Sequence, residues 1–132
     1  MKHFTIAELS ASATAQCRGI DNTPTAEAVE NLTLLVENVL DPLREAFGSR
    51  IIINSGYRCP ALNKAVGGTT KSQHISGEAA DITAGSKSAN RRLFNLLHSL
   101  RLPVDQVIDE HDFSWIHVSH SRVRNRMMFF SA

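Results

Sequence analysis

Residues 72–81, Ser72-Gln73-His74-Ile75-Ser76-Gly77-Glu78-Ala79-Ala80-Asp81, set an imidazole and a carboxylate seven positions apart with a glycine and small residues between them. Ala79 to Thr83 alternates like a short strand, with Ala80 and Ile82 on one side and Asp81 on the other. Gly77 lets the chain bend sharply enough to bring His74 back over that carboxylate. Two such groups converging on one point suit a divalent metal, and zinc accepts this mixture of nitrogen and oxygen donors. A third ligand is required, and Trp115-Ile116-His117-Val118-Ser119 is the best source. Its alternation puts Trp115, His117 and Ser119 on one face and anchors Ile116 and Val118 in the core. His74, Asp81 and His117 then leave a fourth position for water, which marks a catalytic rather than a purely structural zinc site.

Composition sets the outer limits. The chain has 132 residues, 42% of them hydrophobic, and reads as a single domain over 1–132 with a core of its own. A net charge of +1 gives no electrostatic footprint for nucleic acid or an anionic membrane. The arginines of Arg122-Val123-Arg124-Asn125-Arg126 lack the interleaved aromatics of a nucleic-acid interface. Six histidines, by contrast, give a metal site material to draw on. Cys17 and Cys59 form no C-x-x-C pair and read as free thiols. No apolar run at the N-terminus serves as a signal peptide, and no segment is long enough to span a bilayer. The expectation is a monomer made in the cytoplasm, which acts elsewhere only if carried or released.

Along the chain, residues 1–22 are short and mixed, with Phe4 and Ile6 as a small docking segment. From Thr25, apolar residues from Val29 to Phe47 recur at helical steps. Thr23 is a plausible N-cap with Pro24 in the first turn, Pro42 should kink or divide the helix, and Gly48 should end it. Ile51-Ile52-Ile53 reads as a buried strand, and Pro60 opens a brief helical turn. Ser86 or Ser88 caps a helix to Leu100, with Leu93, Leu96, Leu97 and Leu100 inward. Gln106 to Ile108 and Trp115 to Ser119 form an antiparallel pair joined by a tight connection. The Met127–Phe130 run reads as core packing. The fold class expected is α+β, a small, largely antiparallel sheet backed by helices.

The ordered set Ser72-x-His74-x-x-Gly77-x-Ala79-x-Asp81 and Trp115-Ile116-His117 resembles the zinc D-alanyl-D-alanine peptidase family, whose fold is shared with the hedgehog signalling domain. Ser55-Gly56-Tyr57-Arg58 and Asp105-Gln106-Val107-Ile108 look like its short, phage-associated branch. The resemblance runs from about Ile53 to Ser119. It implies one zinc ion held by His74, Asp81 and His117, and hydrolysis of an amide bond in peptidoglycan stem peptides with zinc-bound water as nucleophile. The substrate implied is D-Ala-D-Ala for a carboxypeptidase, or an L-Ala–D-Glu bond for a phage endolysin. Arg58 matches the arginine that reaches a substrate carboxylate or the developing oxyanion.

The general base departs from the common pattern. Many members place an acidic residue, or sometimes a histidine, three positions before the last ligand, where this chain has Ser114, and a serine hydroxyl cannot take a proton at neutral pH. In the short branch a glutamate closes the run Asp105-Gln106-x-Ile108-x-Glu110, which assigns the base to Glu110, with Asp112 and His111 as substitutes. The competing reading is a non-catalytic, zinc-stabilised module that binds cell wall or protein.

Overall fold

A computed structural model describes residues 1–132. Five strands form one sheet in the order β1-β2-β4-β3-β5: β1 Ile52–Ser55, β2 Ala79–Thr83, β3 Gln106–Glu110, β4 Trp115–Ser119 and β5 Met128–Ser131. Every pairing is antiparallel except β3 with β5, which is parallel. Helices α1 Ile6–Ser10, α2 Ala13–Arg18, α3 Ala26–Leu35, α4 Asp41–Phe47, α5 Pro60–Ala65 and α6 Lys87–Ser99 accompany it. The α+β expectation holds.

The sheet's alternation separates a core face from a site face. Ala80, Ile82, Val107, Ile116 and Val118 are fully buried and join Leu32, Leu35, Val39, Leu40, Leu43, Leu93 and Leu97 in one apolar cluster. The opposite face carries the chemistry. There Ser55 lies opposite Asp81, Asp81 opposite His117, His117 opposite Ile108, and Ile108 opposite Phe130. One row of side chains thus crosses the whole sheet.

The long helical stretch is interrupted as its proline demands. Pro42 has no N–H and its ring crowds the carbonyl four residues back. The helix widens into a π turn over Val36–Leu40, where the Asp41 N–H reaches back to the Val36 carbonyl. Gly48 closes α4 in the left-handed region at φ 77°. The start differs from expectation: Thr25, not Thr23, is the N-cap, its side chain accepting from the Ala28 N–H. Asp21 holds the Thr23 hydroxyl and N–H instead, so Thr23 is spent on a turn.

Other expectations are corrected by position in the sheet. Residues 1–22 contain two short helices, each with a side-chain N-cap, Thr5 and Ser12. These local caps carry no long apolar period. Ile52 is 40% exposed because β1 is an edge strand; only Ile51 of the isoleucine run is buried. Leu100 lies past the end of α6 and is exposed, whereas Leu93 and Leu97 are buried as read. Met127 to Phe130 is not core packing: β5 is an edge strand, with Met127, Met128 and Phe130 exposed and Phe129 packed against the core. Both cysteines are free, and no helix is long and apolar enough to cross a membrane.

Candidate metal centre

The site starts from a β-pair. Asp81 on β2 and His117 on β4 are direct cross-strand partners, and their side chains meet at 3.0 Å between Oδ1 and Nδ1. His74 arrives from the preceding loop, with Nε2 3.4 Å from the same oxygen. One ligand atom from each lies within 4.8 Å of the others. Bonds of 2.0–2.1 Å to a tetrahedral ion imply ligand atoms about 3.3 Å apart, which the two distances to Asp81 Oδ1 match. Two imidazole nitrogens and one carboxylate oxygen also suit it chemically.

The loop geometry that delivers His74 is closely determined. Gly77 sits at φ 76°, and a Cβ there would lie 2.6 Å from the Ala28 carbonyl oxygen of α3. Only glycine allows the turn to press on the helix so tightly. The Nδ1 of His74 lies 2.7 Å from the Gly56 carbonyl. A carbonyl only accepts, so Nδ1 carries the proton and Nε2 presents its lone pair to the centre. The Arg58 N–H donates to the His74 carbonyl at 3.0 Å, which braces the same two segments again. His74 is 4% exposed, and its ring meets that of His117 edge-on at 5.2 Å.

Asp81 is pulled two ways. Burial pushes its carboxyl up, but the His117 and His74 imidazoles, in the protonated form that faces Oδ1 with an N–H, prevail and hold it well below the usual carboxylate range. Its other oxygen, Oδ2, lies 3.5 Å from Nη2 of Arg58. Arg58 is itself anchored, donating from Nε to Ser55 Oγ and from Nη1 to Asn63 Oδ1, both at 3.1 Å. Its guanidinium therefore braces the carboxylate of this cluster, and it also borders a hollow of about 340 Å³ on the β1 side. Asn22 fixes the backbone around it, donating to the Ser10 and Tyr57 carbonyls and accepting from the Cys59 N–H.

On the other side of the centre a groove of about 560 Å³ runs along β3, bordered by His117, Ile108 and Glu110. Glu110 follows Ile108 by two residues on the same strand face, a diagonal neighbour of His117 at roughly 7–8 Å between backbones. The rest of its acidic cluster turns elsewhere. Asp109 is buried on the core face and accepts from Ser131. Asp112 lies 3.4 Å from Lys87 Nζ, and His111 stacks on Trp115 at 4.8 Å. Ser114 donates its hydroxyl to the His111 carbonyl within the turn. His120 is 7% exposed and bonded to the Pro103 carbonyl, a structural role.

Sequence reading assigned no role to Asn22, Gln73, Asp105 or the Gly56 carbonyl. Asp105 is buried, accepts from Gln73 at 2.9 Å, and takes Arg126 in a two-pronged pair at 2.7 and 3.0 Å. A polar residue beside a ligand histidine is a signal for Gln73; nothing in sequence spacing links residue 105 to residue 126.

Comparison with known proteins adds two findings. The sequence pattern of the family described as Peptidase M15 matches residues 2–119. The zinc D-Ala-D-Ala carboxypeptidase of Streptomyces albus G is 36% identical over 86 residues, which is 64% of this chain and 32% of that protein. The chain thus matches about a third of the length of that relative.

Proposed function

Because this chain belongs to the Peptidase M15 family, we propose that it is a zinc-dependent peptidase that hydrolyses an amide bond in peptidoglycan stem peptides. The observation that carries the reading is the convergence of His74, Asp81 and His117 at the edge of an open groove that also holds a carboxylate. His74, Asp81 and His117 would hold the ion. When bound, zinc supplies Lewis acidity toward the scissile carbonyl and brings the ionisation of water to near neutrality.

The chain's own groups do the rest. Glu110 takes a proton from the attacking water and passes it to the leaving amine. Arg58 holds Asp81 in place and faces the β1-side hollow, where its planar fork suits a substrate carboxylate or the charge developing on the carbonyl oxygen. The Gly56 carbonyl keeps His74 in the one tautomer that can serve. The bond cut is D-Ala–D-Ala, as the name of the Streptomyces albus G carboxypeptidase has it, or an internal bond of the stem peptide as in an endolysin of phage type.

The test is digestion of purified peptidoglycan by the zinc-loaded protein, with and without chelator, alongside Glu110→Gln. New amine termini should appear only with metal, and Glu110→Gln should lose about 10²–10⁴-fold in rate. Mass spectrometry of the fragments identifies the bond. Metal-dependent melting without any cleavage would overturn the enzyme reading in favour of a binding module.

A further inference from the structure

The groove along β3 is not uniform in charge. Glu110 closes it at the C-terminal end of the strand, while Arg126, paired with Asp105, borders it at the start beside Gln106, and Lys71 lines the same groove two residues before Gln73, which also bonds Asp105. Gln106 and Glu110 are separated by roughly 13 Å of extended chain, and the Ile108–His117 pair falls midway. The groove therefore has a cationic end and an anionic end with the metal ligand His117 between them.

The cationic end is built rather than incidental. The Arg126 fork is fixed by Asp105, which is 4% exposed and accepts from its Nε, Nη2 and backbone N–H. That leaves the Nη1 hydrogens for a ligand. The same Asp105 accepts from Gln73, the neighbour of His74. One carboxylate thus ties the guanidinium to the metal loop and sets its distance from the centre. Lys71 is exposed, and none of the chain's ion pairs uses it. Arg126 is balanced by Asp105, so Lys71 contributes the net positive charge. Arg126 also lies beyond residue 119, where the family match stops.

We propose that Lys71 and Arg126 form a carboxylate-binding subsite, so that the peptide taken by this chain carries a free acid on the segment lying over the start of β3. The claim rests on the peptidase reading: with Arg58 at the β1-side hollow taking the terminal carboxylate, the acid left for the start of β3 is the D-glutamyl one, which narrows the substrate to stem peptides where it is free rather than amidated. The placement is electrostatically consistent: the acid sits on the far side of His117 from Glu110, away from the one group in the groove that would repel it.

The experiment is calorimetric titration of the zinc-loaded, full-length Glu110→Gln protein, in which turnover is suppressed. The probes are N-acetyl-L-Ala-γ-D-Glu-L-Lys-D-Ala-D-Ala and the same peptide with the D-glutamyl carboxyl amidated. The acid should bind about tenfold more tightly, as expected for hydrogen bonds to a charged group. The gap should shrink with salt and largely vanish when Lys71→Gln is added, with the melting temperature unchanged. Equal affinities, a gap that survives Lys71→Gln, or no binding of the acid would overturn the subsite. Wild-type digests separate this claim from the one beneath it. Tighter acid binding with neither peptide cut removes the hydrolase and keeps the subsite; both peptides cut with equal KM does the reverse.

Discussion

On one flank of β4 lies β2, and on the other lie β3 and β5. The β2 flank is antiparallel throughout and faces the core with Ala80 and Ile82, both fully buried. Its site face carries Asp81, braced by Arg58 and two histidines. The β5 flank ends in a parallel edge strand with Met128 and Phe130 exposed, held by the Asp105–Arg126 pair and the Ser131–Asp109 bond. One flank is determined by packing and by a cluster of two imidazoles and a carboxylate that could hold a cation. The other is determined by a few polar ties between residues far apart in sequence. The His–Asp–His cluster and the charge at the start of the groove can therefore be altered separately in this molecule.

The largest expected effect comes from removing a ligand on the first flank. Loss of a residue that merely supports a ligand costs about 10–100-fold in metal affinity, so His117→Ala, deleting one of three proposed ligands outright, should weaken zinc by on the order of a thousandfold. Titration against a chromophoric chelator measures this, and retention of tight binding would break the comparison at its root. Next comes Gly77→Ala, which places a Cβ against the Ala28 carbonyl at a left-handed φ. It should cost about 2–4 kcal/mol in denaturant unfolding and loosen metal binding as His74 shifts.

Smaller effects are expected on the second flank. Asp105→Asn should cost about 2 kcal/mol and leave zinc affinity within a few-fold. The hydrogen bond from Arg126, above all, holds the Asp105 carboxyl below its usual range. A depressed carboxylate stabilises the fold above its unfolded pKa and loses that contribution as pH falls through the folded value. The wild type should therefore lose stability relative to Asp105→Asn below about pH 4, read as converging melting temperatures. Last, Phe130→Ser on the exposed edge should change stability by no more than about 0.5 kcal/mol; a drop of several times that would show β5 to be a packing element after all.

The same division explains what could be read in the sequence. Metal ligands have few substitutes, so the residues of 72–81 and 115–119 declare their partner chemistry, and strand alternation orients Asp81 and His117 correctly. Gly77 was legible for the same reason, since only one residue type permits its turn. The N-terminal helices were missed because five or six residues hold too little periodicity, and their caps count only once Leu9 and Ala15 have something to pack against. β5 was missed because an apolar run of Met and Phe does not distinguish core from edge. Its partner, β3, lies across a parallel crossover that no local signal announces. Arg58 stands out in sequence within Ser55-Gly56-Tyr57-Arg58, but its contact with Asp81 depends on Ser55 and Asn63 meeting in space.

Trp115 is the chain's single tryptophan, two positions from His117 on the same strand face, and its indole N–H is buried without a partner. Its emission therefore arises from one spot beside the centre, uncontaminated by any other indole. Loading with an ion that quenches fluorescence should dim that signal in proportion to occupancy, giving the protein an intrinsic optical gauge of its own filling.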